Sequence, residues 1–403
     1  MSGTHIYTSI TSNYLPKARV LAHSLKARYP SVVVHLLLND NPPEAFDLER
    51  EPFDTLVLIE DLGIDNLTRW VFGHTVVELC TAVKGAALEF IFERHGADKV
   101  FYFDPDIAVF GRLEELEAAL DQASIVLTPH QSEPEDTLEG IADNEIASLK
   151  HGVFNLGFVG VRNSAEGRRF ARWWSERLYH FCHDDIPAGL FTDQRWIDLV
   201  PCLFDDYKVI RDPGFNVATW NLTHRRITGS LEEGFKVNDV PLGFYHFSGF
   251  DSGAQEVMLN KYGQHSPALL TLRNWYIEAC DQQGQAALGK RPSKFACFDD
   301  GTPITKDQRQ LYRTRQDLQR TFPNPFASAE KGSYQRWFAE NVDTTYQRKG
   351  LLTISPATPY GAVFREFVGF TQDKIAASHR LSPPVRWLGL RLCGLIGRVA
   401  KLF

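Results

Sequence analysis

The stretch at residues 99–110, which reads KVFYFDPDIAVF, constrains the fold of this chain more than any other segment. Two short runs of β-branched and aromatic residues flank Asp104, Pro105 and Asp106. Such runs are typical of strands that are buried on both faces, and Pro105, which has no N–H, must interrupt a central ladder. The pattern predicts a core strand that ends at a cleft and presents both carboxylates to it.

Two carboxylates one residue apart at the end of a buried strand favour a divalent cation. Carboxylates are rarely buried unless they are paired or bound to a cation. Hard oxygen ligands suit Mg²⁺ or Mn²⁺, which usually share their coordination sphere with the phosphates of a substrate. Because an Asp-x-Asp pair is short, a tight turn with solvated acids remains the alternative.

The first sixty residues predict an α/β fold. Segment 6–10 is predicted to be a first strand, and segment 32–38 has the continuous apolar character of a buried strand. The residues between them have helical spacing, which indicates a parallel sheet built from βαβ units. The small polar residues Thr8, Ser9 and Asn13 lie at or just after the end of the first strand. Ligands bind beyond the carboxyl ends of such strands, so we expect these residues at the same edge as Asp104 and Asp106.

The composition of the chain indicates its partners and its cellular compartment. The 403 residues carry a net charge of −7, which argues against a nucleic-acid partner. Six cysteines without CxxC spacing fit a reducing compartment. The first residues lack the basic start and apolar core of a signal peptide, and no run of about 18 apolar residues predicts a membrane span. We therefore expect a cytoplasmic protein.

Further polar residues interrupt apolar patterns along the chain. Lys84 falls in the middle of a helix predicted over residues 76–95, and Asn155 is the polar side chain inside a glycine-punctuated strand. Each has an ordinary alternative, since Lys84 fits a solvated helix face and Asn155 fits a satisfied core amide. Asp193 and Gln194 stand at a predicted helix start, where Asp193 also fits an N-cap.

His246 lies at the end of an aromatic strand and is followed by Gly249. A histidine in such a place is often structural. With Asp104 and Asp106 already at a cleft, it also fits the role of a third metal ligand.

Taken in chain order, these features resemble the metal-dependent GT-A glycosyltransferases, in particular the glycosyltransferase family 8-like enzymes of bacterial polysaccharide and lipopolysaccharide assembly. The shared order is a polar-ended strand, a lysine-bearing helix, an apolar-DxD-apolar segment, an Asn-Leu-Gly strand, an Asp-Gln helix start and a His-x-x-Gly end, over roughly residues 4–255. The resemblance implies a Rossmann-like, mostly parallel sheet flanked by helices, with a largely helical C-terminal extension. It also implies a nucleotide-sugar donor, expected to be a UDP-sugar, whose diphosphate is bridged by Mn²⁺ or Mg²⁺.

The resemblance carries roles to individual residues. It implies that the metal ligands are Asp104, Asp106 and His246, and that Asn155, Asp193 and Gln194 lie near the transferred sugar. It implies that the residues contacting the donor are Thr8, Ser9, Asn13, Lys84, Asp104 and Gly249. The family pattern continues after the glycine to a Lys-Pro-Trp, and this chain lacks that lysine.

The expected function is transfer of a sugar, with retention of configuration, to a saccharide or lipid-linked glycan in bacterial surface polysaccharide assembly. Two alternatives stay open: a haloacid-dehalogenase-type phosphatase, whose nucleophile also sits in a strand-end DxD, and a non-catalytic sugar-binding protein on a transferase fold.

We expect three regions: a catalytic domain at 1–262, a mainly helical region at 263–380, and an amphipathic basic helix at 381–403. The last segment carries four cations and no acids opposite an apolar face, which predicts binding to an anionic membrane surface. This would make the protein peripheral at the inner face of the cytoplasmic membrane. Packing of the helix on the protein itself or on a second copy is the alternative.

Overall fold

The structure is a computed structural model that describes residues 3–249, 253–263, 266–328 and 332–342. Its strands are β1 (Thr4–Ile10), β2 (Val33–Leu38), β3 (Thr55–Leu58), β4 (Lys99–Phe103), β5 (Ile107–Val109), β6 (Ile125–Pro129), β7 (Phe154–Arg162), β8 (Asp184–Asp185), β9 (Leu190–Phe191), β10 (Tyr207–Val209), β11 (Ile227–Ser230), β12 (Gly234–Val237), β13 (Val240–Pro241) and β14 (Phe244–His246). Its α-helices are α1 (Leu15–Lys26), α2 (Leu67–Phe72), α3 (Val76–Ala82), α4 (Lys84–His95), α5 (Leu113–Gln122), α6 (Leu138–Gly140), α7 (Ile146–His151), α8 (Ala165–Phe181), α9 (Gln194–Ile197), α10 (Val200–Leu203), α11 (Ala254–Met258), α12 (Pro267–Gln282), α13 (Gln285–Leu288), α14 (Lys306–Thr314), α15 (Gln316–Thr321) and α16 (Tyr334–Asn341).

A seven-stranded sheet in the order β10-β6-β7-β4-β1-β2-β3 forms the centre of the fold. Strand β7 runs antiparallel to both of its neighbours, and every other neighbouring pair in this sheet is parallel. The mostly parallel sheet flanked by helices that the sequence predicts is thus confirmed, as is the helical character of the described C-terminal region.

Alternation along β1 shows how the sheet is covered on both faces. Ile6 and Ile10 pack into the same core as α1 and α5, whereas Tyr7 points the other way and donates its hydroxyl to the carbonyl of Lys84 in α4 at 2.9 Å. Both faces of β1 are therefore covered, and every residue of the strand from His5 to Ile10 is buried.

The acidic segment is held where β4 ends. The amide of Asp104 donates to the carbonyl of Gly157 at 2.8 Å, and the amide of Ile107 donates to the carbonyl of Asp104 at 3.1 Å. Strand β5 then pairs antiparallel with β14, with Ile107 opposite His246. This pairing brings a histidine from a distant part of the chain beside the two carboxylates.

The helix predicted over residues 76–95 is divided into α3 and α4 by a turn at Val83. A Cβ on Gly85 would lie 2.5 Å from the Cα of Ser175 in α8, so only glycine fits this helix contact. The hydrophobic period is continuous across the break, because it reports burial and not helix continuity.

Two compact units divide the chain: Met1–Leu67 with His74–Ala296, and Thr68–Gly73 with the described residues from Cys297 onward. The predicted boundary at residue 262 falls inside the first unit. The reason is that α12 shares a core with β12 and β14, in which the rings of Tyr276 and Phe247 stack at 3.8 Å. The helix predicted at 381–403 lies outside the described residues.

The second unit has an aromatic core of its own. Phe72 contacts the rings of Tyr312, Phe326 and Tyr334, and its carbonyl accepts a hydrogen bond from Arg309 at 3.0 Å.

Among the residues that the structure describes, no helix combines the length and the apolar character needed to cross a bilayer.

Candidate metal centre

Asp104, Asp106 and His246 come together at the carboxyl end of β4. One potential ligand atom from each side chain lies within 4.8 Å of the other two. The Nε2 atom of His246 is 3.0 Å from Oδ1 of Asp106 and 3.7 Å from Oδ2 of Asp104. Two carboxylates and an imidazole are a donor set that fits Mn²⁺ or Mg²⁺ while leaving coordination positions for a substrate.

The orientation of the His246 ring is fixed from its other side. Its Nδ1 lies 3.1 Å from Oδ1 of Asn155, so Nδ1–H donates to the amide oxygen and Nε2 faces the carboxylates. A Cβ on Gly157 would lie 2.4 Å from Cε1 of His246, so the ring packs where only glycine leaves room. Trp220 covers the ring edge-on at a centroid distance of 5.3 Å.

His246 and the two carboxylates each stabilise the charged form of the other. Burial disfavours protonation of His246, but the nearby charges of Asp106 and Asp104 outweigh it and raise the pKa of the imidazole. Burial likewise disfavours ionisation of Asp106, yet His246 outweighs it and lowers the pKa of that carboxyl. Because a metal ligand must be deprotonated, a cation that binds here competes with protons for His246, whose pKa is raised.

Lys84, which the sequence predicts to contact the donor, lies buried beside the centre, and that contact stays a prediction. Its ammonium group is buried and lies 2.9 Å from Oδ2 of Asp193, 3.0 Å from the carbonyl of Leu156 and 3.3 Å from Oδ1 of Asp104. Lys84 therefore bridges the carboxylates of Asp104 and Asp193.

The carboxylates also decide the ionisation of Lys84. Burial works against its charge, but Asp104 and Asp193 outweigh burial and raise the pKa of the lysine. The ring of Tyr102 adds a cation–π contact, with Nζ 4.1 Å from the ring centroid.

The residues predicted to lie near the transferred sugar extend from the metal ligands along β7. Asn155 joins His246 to His130, whose Nε2 is 3.2 Å from its amide nitrogen. Gln194 accepts from the amide of Leu156 and donates to the carbonyl of His151, both at 3.0 Å. These side chains, with Asp193 paired to Lys84, are therefore held in fixed positions beside the centre.

The residues predicted to form the nucleotide pocket lie at the end of β1. Ser9 donates to the carbonyl of Cys80 at 2.7 Å and accepts from the amide of Asn39 at 2.8 Å. The Oδ1 of Asn13 accepts from the hydroxyl of Thr11 at 2.7 Å. Thr8 is buried, and its hydroxyl has no hydrogen-bond partner in the described part of the chain. Contact of these residues with a nucleotide stays a prediction.

Gly249 follows β14 and has a φ of +74°, which suits glycine at this turn. Its predicted approach to a diphosphate stays a prediction as well.

Three residues near the centre were missed by sequence reasoning. Tyr102 donates to Oδ1 of Asp104 at 2.5 Å, and its position two residues earlier on β4 places it on the same face, which is a usable signal. Burial lowers the pKa of His130 to about 4, so this residue beside Asn155 is neutral. Trp220 reaches His246 from a distant 3₁₀ turn, and no local pattern marks it.

Fold and centre together define an α/β protein with a candidate carboxylate–histidine metal site at the carboxyl edge of parallel strands. No family model matches the chain. It is similar to the uncharacterized protein YfnD of Bacillus subtilis (strain 168), with 27% identity over 256 residues, which cover 62% of this chain and 79% of that protein.

Two solved glycosyltransferase structures are also similar. One is the galactosyltransferase LgtC in complex with donor and acceptor sugar analogs, with 16% identity, coverage of 72% of this chain and 97% of that one, and a TM-score of 0.40. The other is the glycosyltransferase GlyE of Streptococcus pneumoniae TIGR4, with 18% identity, coverage of 73% and 66%, and a TM-score of 0.39.

Proposed function

We propose that this protein is a glycosyltransferase that uses Mn²⁺ or Mg²⁺ and a nucleotide-sugar donor, expected to be a UDP-sugar. The observation that carries the proposal is the cluster of Asp104, Asp106 and His246 at the carboxyl edge of the sheet, with Nε2 of His246 directed at the carboxylates. The order of motifs along the sequence supports the same reading.

The chemistry of sugar transfer matches the groups at this edge. A divalent cation, when bound, offsets the negative charge that develops on a departing nucleoside diphosphate. Asp104, Asp106 and His246 are the residues that would hold it.

On the sugar side we place Asn155, Asp193 and Gln194, whose hydrogen bonds to His246, Lys84 and the backbone fix them before substrate arrives. A carboxylate or amide there stabilises an anomeric carbon with oxocarbenium character. Retention of configuration is part of the proposal.

The test of this function is a panel of nucleotide-sugars assayed for transfer and hydrolysis with Mn²⁺ and with EDTA. Asp106→Asn removes one ligand charge, and we expect kcat to fall by roughly a thousandfold, because a bound cation supplies several kcal/mol of transition-state stabilisation. The matched control is Asp239→Asn, which makes the same change at an exposed turn with φ +70°, where asparagine is well tolerated.

Three other results would contradict this function or favour one of its alternatives. Full activity in EDTA or in Asp106→Asn contradicts metal-dependent transfer. Release of phosphate from phosphate monoesters, with no turnover of any nucleotide-sugar, favours the phosphatase. Binding of a nucleotide-sugar without turnover favours a sugar-binding protein.

We further propose that the acceptor is a saccharide or lipid-linked glycan of bacterial surface polysaccharide assembly, met at the inner face of the membrane. The proposal rests on the sequence of residues 381–403, whose four cations are Arg386, Arg391, Arg398 and Lys401. Each cation near an anionic bilayer contributes about 1 kcal/mol.

Liposome co-sedimentation tests the membrane proposal. The full chain should pellet with phosphatidylglycerol vesicles and not with phosphatidylcholine vesicles, and a chain ending at His379 should stay in solution. Equal pelleting of the two chains contradicts it. Unfolding of the shortened chain instead supports packing of the segment on the protein.

A further inference from the structure

The two oxygens of the Asp104 carboxylate have different surroundings. Oδ1 accepts the hydroxyl of Tyr102 at 2.5 Å and lies 3.3 Å from Nζ of Lys84. Oδ2 lies 3.7 Å from Nε2 of His246, which is beyond hydrogen-bond distance. Oδ1 of Asp104 thus faces the buried side chains of Tyr102 and Lys84, and Oδ2 faces His246 in the metal centre.

Tyr102 is itself held in place. Its side chain is 1% exposed, and its ring packs edge-on against the ring of Tyr7 at a centroid distance of 5.0 Å. The ammonium of Lys84 lies over the same ring, 4.1 Å from its centroid. A hydroxyl on a ring packed in this way keeps one position, so its hydrogen bond fixes the rotation of the Asp104 carboxylate.

We propose that Tyr102 is a positioning residue for the metal centre. Its hydrogen bond to Oδ1 of Asp104 selects Oδ2 as the oxygen that ligates the cation. This inference rests on the proposed metal-dependent function. Partners of ligand side chains orient them and typically contribute about 10- to 100-fold to metal affinity.

Tyr102 offers a cleaner test than Lys84, which shares Oδ1. Removing the lysine ammonium also removes a positive charge beside a cation site, so improved electrostatics would oppose any loss of position. Tyr102→Phe removes one hydrogen bond and changes neither the charge nor the shape of the ring.

Tyr7→Phe is the matched control. Tyr7 is equally buried at 1% exposure, touches the same ring and donates to a buried acceptor, the carbonyl of Lys84, at 2.9 Å. Both variants lose one buried tyrosine hydrogen bond, and only Tyr102→Phe releases a metal ligand.

The measurement is the Mn²⁺ dissociation constant by isothermal titration of the full chain without nucleotide, together with melting temperatures in EDTA. We expect Tyr102→Phe to raise the dissociation constant about tenfold and Tyr7→Phe to change it less than about twofold. An unchanged constant in Tyr102→Phe, or equal losses in both variants, overturns the inference and leaves the proposed function standing. No Mn²⁺ binding by the wild-type chain overturns both.

A second measurement does not depend on the folding of a variant. In a crystal structure of the wild-type chain with Mn²⁺, Oδ2 of Asp104 should be the oxygen nearest the ion while Oδ1 still accepts from Tyr102. Ligation through Oδ1, or through both oxygens with the Tyr102 bond broken, overturns the inference.

Discussion

The fold holds histidines in two groups, the cluster of His5, His35 and His95 and the single buried His246, and the surroundings of the two groups differ in kind. Towards the amino ends of β1 and β2, His5 and His35 hydrogen-bond each other at 2.8 Å, and the His95 ring lies 4.6 Å from that of His35. At the carboxyl end of β4, His246 instead faces Asp106 and Asp104.

The two environments move the imidazole pKa in opposite directions. Burial, together with the neighbouring His95 and His5, lowers the pKa of His35 to about 3. For His246 the carboxylates outweigh burial and raise the pKa. Burial without a carboxylate therefore favours the neutral form of the imidazole. Carboxylates that face the ring favour its protonated form or a bound cation. In the described residues, the cluster around His246 is the one that gathers three candidate metal ligands.

The largest expected effect separates the two groups by metal affinity. His246→Ala removes one of three ligands, so the Mn²⁺ dissociation constant should rise by about a hundredfold or more, since partners of ligands alone contribute about 10- to 100-fold. His35→Ala should leave that constant within about twofold while lowering the free energy of unfolding by roughly 2 kcal/mol. Similar losses of Mn²⁺ affinity in both variants would remove the distinction between the two groups.

A smaller effect tests how tightly the His246 ring is held. The Cβ that Gly157→Ala adds would lie 2.4 Å from Cε1 of His246, so the ring must move. We expect Mn²⁺ affinity to fall about tenfold, because ligand orientation is disturbed while all ligands remain. Gly3→Ala is the control, since a Cβ there meets nothing within 4 Å. Unchanged affinity in Gly157→Ala would show that the ring is free to shift without loss of function.

A further difference between the two groups is in the slope of stability against pH. The folded state lowers the pKa of His5, His35 and His95, so the unfolded chain binds more protons in acid. Their contribution to stability is present above the ordinary histidine pKa of about 6.5 and is lost as pH falls below it. His246, with a raised pKa, contributes with the opposite sign and loses its contribution as pH rises.

Thermal unfolding in EDTA between pH 7.5 and 4.5 measures this slope. His35→Ala should flatten the acid loss of stability by up to about 1.4 kcal/mol per pH unit, the value for one proton. A slope equal to that of the wild-type chain would contradict the reading of these histidines as neutral in the fold.

The sequence predicts those features that depend on neighbouring residues, and it does not predict contacts between residues that are far apart along the chain. The strands around Asp104 and Asp106 were predictable because continuous apolar runs report burial on both faces. The bridge made by Lys84 was not, since its burial depends on Asp193, which is more than a hundred residues away. Likewise the apolar positions of α12 indicate packing but do not say with which core, so the sequence alone does not show that α12 packs against β12 and β14.

The residues around the centre likewise include one that a local pattern indicates and two that only the tertiary fold brings near. Tyr102 could have been found from the two-residue period of β4, since it shares a face with Asp104. His130 and Trp220 reach His246 and Asn155 only through the tertiary fold, and nothing in their neighbouring residues marks them.

We propose that the carboxylate–histidine centre couples a divalent cation to a nucleoside diphosphate. Isothermal titration of the wild-type chain with UDP, in Mn²⁺ and in EDTA, is the direct test of this coupling. We expect measurable UDP binding in Mn²⁺ and binding at least about tenfold weaker in EDTA, because the cation offsets the diphosphate charge. Equal UDP affinity in the two buffers, or no binding in Mn²⁺, would contradict it.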